Sequence, residues 1–211
     1  MIRVLIADDH PVVRAGIEWV VNGGKDMTVV AQCSDGAEVV TLAGAEKFDV
    51  LLLDLMMPRM TGLEVIQELR RTGNMTPILI LSVQPEDQFG MRSIRMGGNG
   101  YLHKDSDPNN IREAIRTVYK GGTYVSANLA QQMASELRSG ERPKLGHALL
   151  SPREFQILQL LGSGRTVTQI GKDLSISKKT VSTHRTHVLE KLNLSTTADL
   201  IRYAMENKLV E

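Results

Sequence analysis

Apolar residues crowd into five short continuous runs in the first half of the chain: Ile2–Ala7, Met27–Gln32, Val50–Asp54, Ile78–Ser82 and Gly100–His103. Runs this short, rich in Val, Ile and Leu, predict strands buried on both faces, as in a parallel sheet. Between them the apolar positions fall at helical spacing: Val13, Ile17 and Val20 after the first run, Val39, Val40 and Leu42 after the second, Leu63, Ile66 and Leu69 after the third. After the fifth run Asp107 offers a cap, Pro108 a first helical residue, and Ile111, Ala114, Ile115 and Val118 an apolar stripe that ends at Gly121-Gly122. Five strands alternating with five helices over about 120 residues predict an α/β doubly wound five-stranded parallel sheet, with its ligand site at the carboxyl ends of the strands.

The second half follows a different pattern. A helix is expected over Asn128–Arg138, and Ser139–Ala148, broken by Gly140, Pro143 and Gly146, reads as a linker. Order restarts at Ser151, with Pro152 in the first helical position and Glu154 completing a capping box. Three more helices follow, near Thr168–Leu174, Lys178–Leu192 and Thr197–Asn207, with no strand-like run among them. The expected organisation is a sheet domain over 1–122, a helix and linker over 123–148, and an all-α four-helix domain over 149–211.

Composition narrows the class. With 42% hydrophobic and 23% charged residues in 211, the chain has the balance of a globular protein with two cores. No apolar run approaches the roughly 18 residues of a membrane span or the core of a signal peptide, so the expected location is the cytoplasm, with no membrane partner. Cys33 is the single cysteine, so no intramolecular disulfide forms. The net charge of +1 divides unevenly: from Leu145 to Glu211 nine Lys and Arg face six Asp and Glu, leaving sixteen against eighteen for the rest. The positive excess thus falls on the helical domain, where a nucleic acid would favour it.

The candidate chemistry sits at the strand ends. RVLIADDH closes the first run with Asp8 and Asp9, and VLLLDLMMP closes the third with Asp54. Two carboxylates about 4 Å apart repel by roughly 4 kcal/mol at an effective dielectric of 20, so a cluster of three calls for a counter-charge. An oxygen-only donor set with open positions suits Mg²⁺, which couples to phosphate. Ser82 ends the fourth run with a hydroxyl, and Lys104 follows the fifth with an ammonium. The arrangement reads as a phosphate site built around an aspartate.

These residues resemble the receiver domain of bacterial two-component response regulators, over roughly Ile2–Gly122. The resemblance implies that Asp54 is the phosphoacceptor, charged by a sensor histidine kinase, a phosphotransfer protein or a small phosphodonor. It implies that Mg²⁺ is bound by Asp9, Asp54 and the backbone carbonyl of Met56, with Asp8 acting through water. Ser82 and Lys104 would hold the phosphoryl oxygens and Tyr101 would swing inward behind Ser82. The sequence departs from common receiver patterns at Arg59, where glycine is frequent, at His103, and at Asp105, where proline often follows the lysine.

In TVTQIGKDLSISKKTVSTHRTHVLEKLN a short helix, a turn at Ser175-Ile176-Ser177 and a longer basic helix succeed one another, the order of a helix-turn-helix. Val181, Val188 and Leu192 would face the core, leaving Lys178, Lys179, Ser182, Thr183, Arg185 and Thr186 able to reach DNA. Leu150–Ala204 resembles the LuxR-type effector domain of NarL/FixJ response regulators. That resemblance places Ser182, Thr183 and Thr186 where base-reading residues occur, and Lys179, Thr180 and Lys191 near phosphate-contacting positions. It also places a dimer contact on the final helix, at Leu200, Ile201 and Ala204. His184, His187 and Glu190 fall at three-residue spacing, which lacks the four-residue histidine spacing of zinc proteases and any cysteine, so no metal is expected there.

Together these features predict a phosphorylation-dependent DNA-binding transcriptional regulator, homodimeric when phosphorylated or on double-stranded promoter DNA, with no enzymatic activity beyond its own phosphorylation and slow dephosphorylation. A phosphohydrolase with an Asp nucleophile is the rival. Such an enzyme needs an acid-base carboxylate two residues on, where Asp8 is followed by His10 and Asp54 by Met56. A regulator sensing a small ligand fits less well, because the strand ends carry acids in place of an apolar pocket.

Overall fold

The structure is a computed structural model that describes residues 1–139 and 146–210. Two compact units divide the chain, Met1–Gly140 and Glu141–Glu211. Of the expected linker Ser139–Ala148, residues 140–145 lie outside the described residues. No described helix is long and apolar enough to cross a membrane.

In the first unit β1 (Ile2–Ala7), β2 (Met27–Cys33), β3 (Val50–Leu53), β4 (Ile78–Ser82) and β5 (Gly100–His103) form one sheet in the order β2-β1-β3-β4-β5, every pair parallel. The helices between and after them are α1 (Pro11–Asn22), α2 (Gly36–Ala45), α3 (Gly62–Arg71), α4 (Glu86–Arg95), α5 (Pro108–Tyr119) and α6 (Ala127–Ser139). The runs of β1, β3 and β4 are buried on both faces of the sheet, whereas the edge strands are not: β2 is buried only at Met27 and Cys33, with Val30 40% exposed, and β5 only at Gly100 and Tyr101. Val4, Ile6, Val50, Leu52, Leu79 and Leu81 join Ile17, Val21, Ile111, Ile115 and Val118 of α1 and α5 in one core. The alternate residues Leu5, Leu51, Leu53 and Ile80 are equally buried and point to the opposite face. Because strand order reverses about β1, the carboxyl ends of β1 and β3 flank the crevice where doubly wound sheets bind ligands.

Local signals set the helix starts. Asp35 caps α2 by accepting from the Ala37 amide, Thr61 and Glu64 form a reciprocal capping box on α3, and Asp107 caps α5 ahead of Pro108. α6 belongs to the first unit and packs on α4: Leu129 is 1% exposed and fills the space above Gly90, and Arg95 pairs with Glu136.

The second unit contains a short 3₁₀ turn (Gly146–Leu149) and then α7 (Pro152–Gly162), α8 (Val167–Asp173), α9 (Lys178–Leu192) and α10 (Thr197–Glu206). α7 is buried on most of its circumference, with Phe155, Ile157, Leu158 and Leu161 meeting α8, α9 and α10. The Ser151 capping box forms as the spacing predicts. α8 hands over to α9 through a tight turn in which Ser175 has a φ of 53° and the Ile176 amide donates to the Gly171 carbonyl at 2.9 Å. Ser177 then caps α9 by accepting from the Thr180 amide at 3.0 Å.

Candidate functional site

The acids converge at the carboxyl edge of the sheet. The Asp54 amide donates to the Ala7 carbonyl at 2.8 Å, which sets the end of β3 beside the end of β1. Asp8 is 1% exposed and Asp54 3%, burial that carboxylates tolerate only with partners. Asp8, Asp9, His10 and Asp54 each offer a ligand atom, and these atoms lie within 4.8 Å of one another. The Lys104 ammonium reaches in from beyond β5, 2.6 Å from Asp8 Oδ2 and 3.0 Å from Asp54 Oδ2. The carboxylates of Asp8, Asp9 and Asp54 still outnumber that single ammonium by two charges.

Titration follows the same geometry. Burial pushes the Asp54 carboxyl above its ordinary value, and the Lys104 ammonium only partly offsets it. Burial opposes the charge on Lys104 too, but the carboxylates of Asp54 and Asp8 outweigh it and hold the ammonium above its usual range. Asp54 Oδ1 accepts from the Leu55 amide at 2.8 Å, while Oδ2 faces Lys104. Gly62 lets the chain fold tightly over this residue, since a Cβ there would stand 2.2 Å from the Asp54 carbonyl oxygen.

Ser82 is fully buried at the end of β4, and its hydroxyl accepts from the Gln84 amide at 3.2 Å. Tyr101 on β5 lies 2% exposed, its hydroxyl donating to the Gln84 carbonyl at 2.8 Å, so both residues hold the first turn after β4. Burial raises the Tyr101 phenol well above its ordinary value. Met56 is partly buried on the loop after Asp54. Sequence reasoning left His10 out of the site. Its Nδ1 lies 2.7 Å from Asp9 Oδ1, and its amide donates to Asp8 Oδ1 at 2.8 Å; the only signal was its place directly after the two acids.

On α9, Lys178, Lys179, Thr180, Thr183, Thr186 and Lys191 are exposed, whereas Ser182 and Arg185 are half-buried, so these last two present less surface than the helical pattern suggested. Val181 and Val188 are fully buried beneath them. Lys191 Nζ lies 2.6 Å from Glu154 Oε2. One expectation fails on α10: Leu200 and Ala204 are fully buried in their own unit and offer nothing to a second copy, whereas Met205 is 59% exposed. The helical stripe that marked the first two as apolar is the stripe that packs on α7.

Residues 4–116 match the response regulator receiver domain family, and residues 148–204 match the luxR family of bacterial regulatory proteins. The chain is a response regulator of the NarL/FixJ type. It is 37% identical to the oxygen regulatory protein NreC of Staphylococcus aureus (strain JH9), covering 99% of each chain. Its fold is similar to the crystal structure of ChrA, a response regulator in a heme-sensing two-component system, with 32% identity, a TM-score of 0.53 and coverage of 99% and 98% of the two chains. It is also similar to RcsB from Salmonella enterica serovar Typhimurium bound to a promoter with the phosphomimetic BeF₃⁻, at 25% identity, a TM-score of 0.63 and coverage of 96% and 97%. This response regulator is therefore a DNA-binding transcriptional regulator of a two-component system, and the acidic pocket belongs to its receiver domain.

Proposed function

We propose that Asp54 accepts a phosphoryl group from a sensor histidine kinase, a phosphotransfer protein or a small phosphodonor, and that the acyl phosphate controls binding of α9 to double-stranded promoter DNA. The observation that carries this reading is the buried convergence of Asp8, Asp9 and Asp54 with Lys104 between two of them. In the transfer an Asp54 oxygen forms the new bond to phosphorus as the bond from phosphorus to the donor breaks. The two uncompensated charges and the oxygen-rich donor set fit Mg²⁺, which Asp9, Asp54 and the Met56 carbonyl would hold, with Asp8 joining through water. When bound, the ion supplies positive charge next to the phosphoryl oxygens.

Lys104 currently pairs with carboxylates, and the Ser82 hydroxyl with the Gln84 amide. A phosphoryl group on Asp54 offers both residues charge-assisted hydrogen bonds available only in that state. Tyr101 already lies inward with its hydroxyl on the Gln84 carbonyl, so drawing Ser82 toward the phosphate changes the bond Ser82 makes in the same β4–α4 turn and holds that turn in one state, which is the signal. The chain's chemistry is limited to acquiring the phosphoryl group and losing it slowly to water.

Within the helical domain, Lys179, Thr180 and Lys191 serve DNA phosphates, while Ser182, Thr183 and Thr186 read bases, with Lys178 and Arg185 at the margin. The functional boundaries are 1–122 for the receiver, 123–148 for the helix and linker, and 149–211 for the DNA-binding domain. A homodimer forms on phosphorylation or on DNA, through the face of α10 that carries Ile201 and Met205.

Intact mass after incubation with acetyl phosphate tests the core of this reading. One phosphoryl group should be added in the presence of Mg²⁺, none after EDTA, and none to Asp54→Ala. Equal labelling of Asp54→Ala would overturn the assignment.

A further inference from the structure

Two histidines on α9, the half-buried His184 and the exposed His187, lie outside the DNA contacts assigned above. His184 and His187 share one face of the helix, with ring centroids 6.5 Å apart and planes at 89°. Their spacing alone supplies two donors and argues for nothing. The fold adds a third donor from thirty residues upstream. Glu154, in the first turn of α7 and only 4% exposed, places Oε1 3.7 Å from His187 Nδ1. One ligand atom from each of Glu154, His184 and His187 lies within 4.8 Å of the other two. The opposite oxygen of Glu154 is anchored, since Oε2 accepts from the Ser151 amide at 2.7 Å and pairs with Lys191 at 2.6 Å.

We propose that Glu154, His184 and His187 form a binding site for a zinc-class divalent cation, joining α9 to the start of α7. Two imidazole nitrogens and one carboxylate oxygen make a donor set that zinc accepts with a fourth position open to water. A hard cation such as Mg²⁺ gains little from imidazole, so the site separates by chemistry from the oxygen-rich pocket of the receiver. Bringing ligand atoms that lie within 4.8 Å of one another to the edge of a zinc tetrahedron, about 3.4 Å for bonds near 2.0–2.1 Å, takes side-chain rotation, for which the exposed His187 has room. The Lys191 ammonium weakens the site by its charge but fixes the orientation of Glu154. A bound ion would cross-link α9 to α7 and add positive charge next to Thr183 and Thr186.

The test is a zinc titration of the full chain in excess Mg²⁺, by competition with a chromophoric chelator, on the wild type and on His184→Gln, His187→Gln and His10→Gln. His187 is exposed, so its replacement leaves the fold in place, and His10→Gln reports zinc that enters the receiver pocket instead. The expected result is one zinc equivalent whose affinity falls by at least about tenfold in both α9 variants and is unchanged in His10→Gln. Co²⁺ should give the intense visible bands of a four-coordinate centre, lost in His187→Gln. Absence of binding, equal affinity in His187→Gln, or loss in His10→Gln would each overturn the site.

Discussion

Arg59 has a φ of 60°, the left-handed region that costs a non-glycine residue about 1–2 kcal/mol, and its guanidinium pairs with the buried carboxylate of Asp35. The frequent glycine at this position in receivers thus has a backbone cause, and this chain meets the same demand with an ion pair that fastens the loop after Asp54 to the cap of α2. Such a pairing is invisible in the sequence, because the partners are separated by twenty-four positions and neither carries a motif. Cys33 shows the opposite case. It follows directly on the apolar run Met27–Gln32 that the sequence shows, and it is 2% exposed, with burial and then the carboxylates of Glu38 and Asp35 pushing the thiol up to about 11. Since only the thiolate is nucleophilic, at about pH 8 roughly a thousandth of the thiol is ionised, and iodoacetamide should leave the native chain unmodified. The same reagent should add one group in denaturant. Mass spectrometry reads both outcomes, and the native rate should rise only as the pH approaches 11.

At the scale of elements, the strands and most helices were legible because their signals are local. α4 was not marked by an apolar stripe: it buries Phe89, Gly90 and Ser93, and Gly90 admits Leu129 of α6, where a Cβ would stand 2.6 Å from its side chain. Its helical form depends on that packing more than on its own pattern. α9 was legible in extent but not in detail. The hydroxyls of Thr183 and Thr186 donate to the carbonyls of Lys179 and Ser182, so each threonine presents its methyl and free lone pairs outward. Lys179, exposed near the start of the helix, carries a flexible point charge instead. Lys179→Ala should therefore weaken binding to all duplexes alike and flatten the slope of log affinity against log salt by about 1. Thr186→Ala should keep that slope and change preference at one base position per half-site by roughly 1–3 kcal/mol. Fluorescence anisotropy across a salt series separates the two, and an exchange of their effects would show α9 docked on another face.

For the whole molecule, each unit has its own core, and the charge divides so that the positive excess lies with the helical one. Phosphorylation and DNA binding are then separate events that must be coupled through states of the full chain. Linkage makes the coupling reciprocal: if the acyl phosphate on Asp54 strengthens promoter binding, promoter DNA must favour the phosphorylated form equally. The expected gain is about tenfold in DNA affinity, within the usual range of such couplings, with a shift from monomer to dimer in sedimentation. Asp54→Ala should bind as the unphosphorylated protein does, whatever phosphodonor is supplied. Anisotropy of the phosphorylated and untreated chains on one duplex measures the gain, and equal affinities would separate the mark from the output.

The sequence by itself determined the strands, the caps, the turn between α8 and α9 and the placing of Asp8, Asp9, Asp54, Ser82 and Lys104 at strand ends. Each of these rests on periodicity or on hydrogen bonds spanning only a few residues. Tertiary structure alone decided which side chains meet. Lys104 bridges Asp8 and Asp54, Tyr101 bonds the Gln84 carbonyl, and Leu200 and Ala204 turn into their own core. Glu154 likewise reaches His187 across thirty-three positions. A periodic pattern says that a helix has an apolar face but not what covers it, and charge on a strand end says nothing of its distance from charge on another. Those distances follow from sheet order and helix packing, where burial makes each unpaired charge too costly to leave alone.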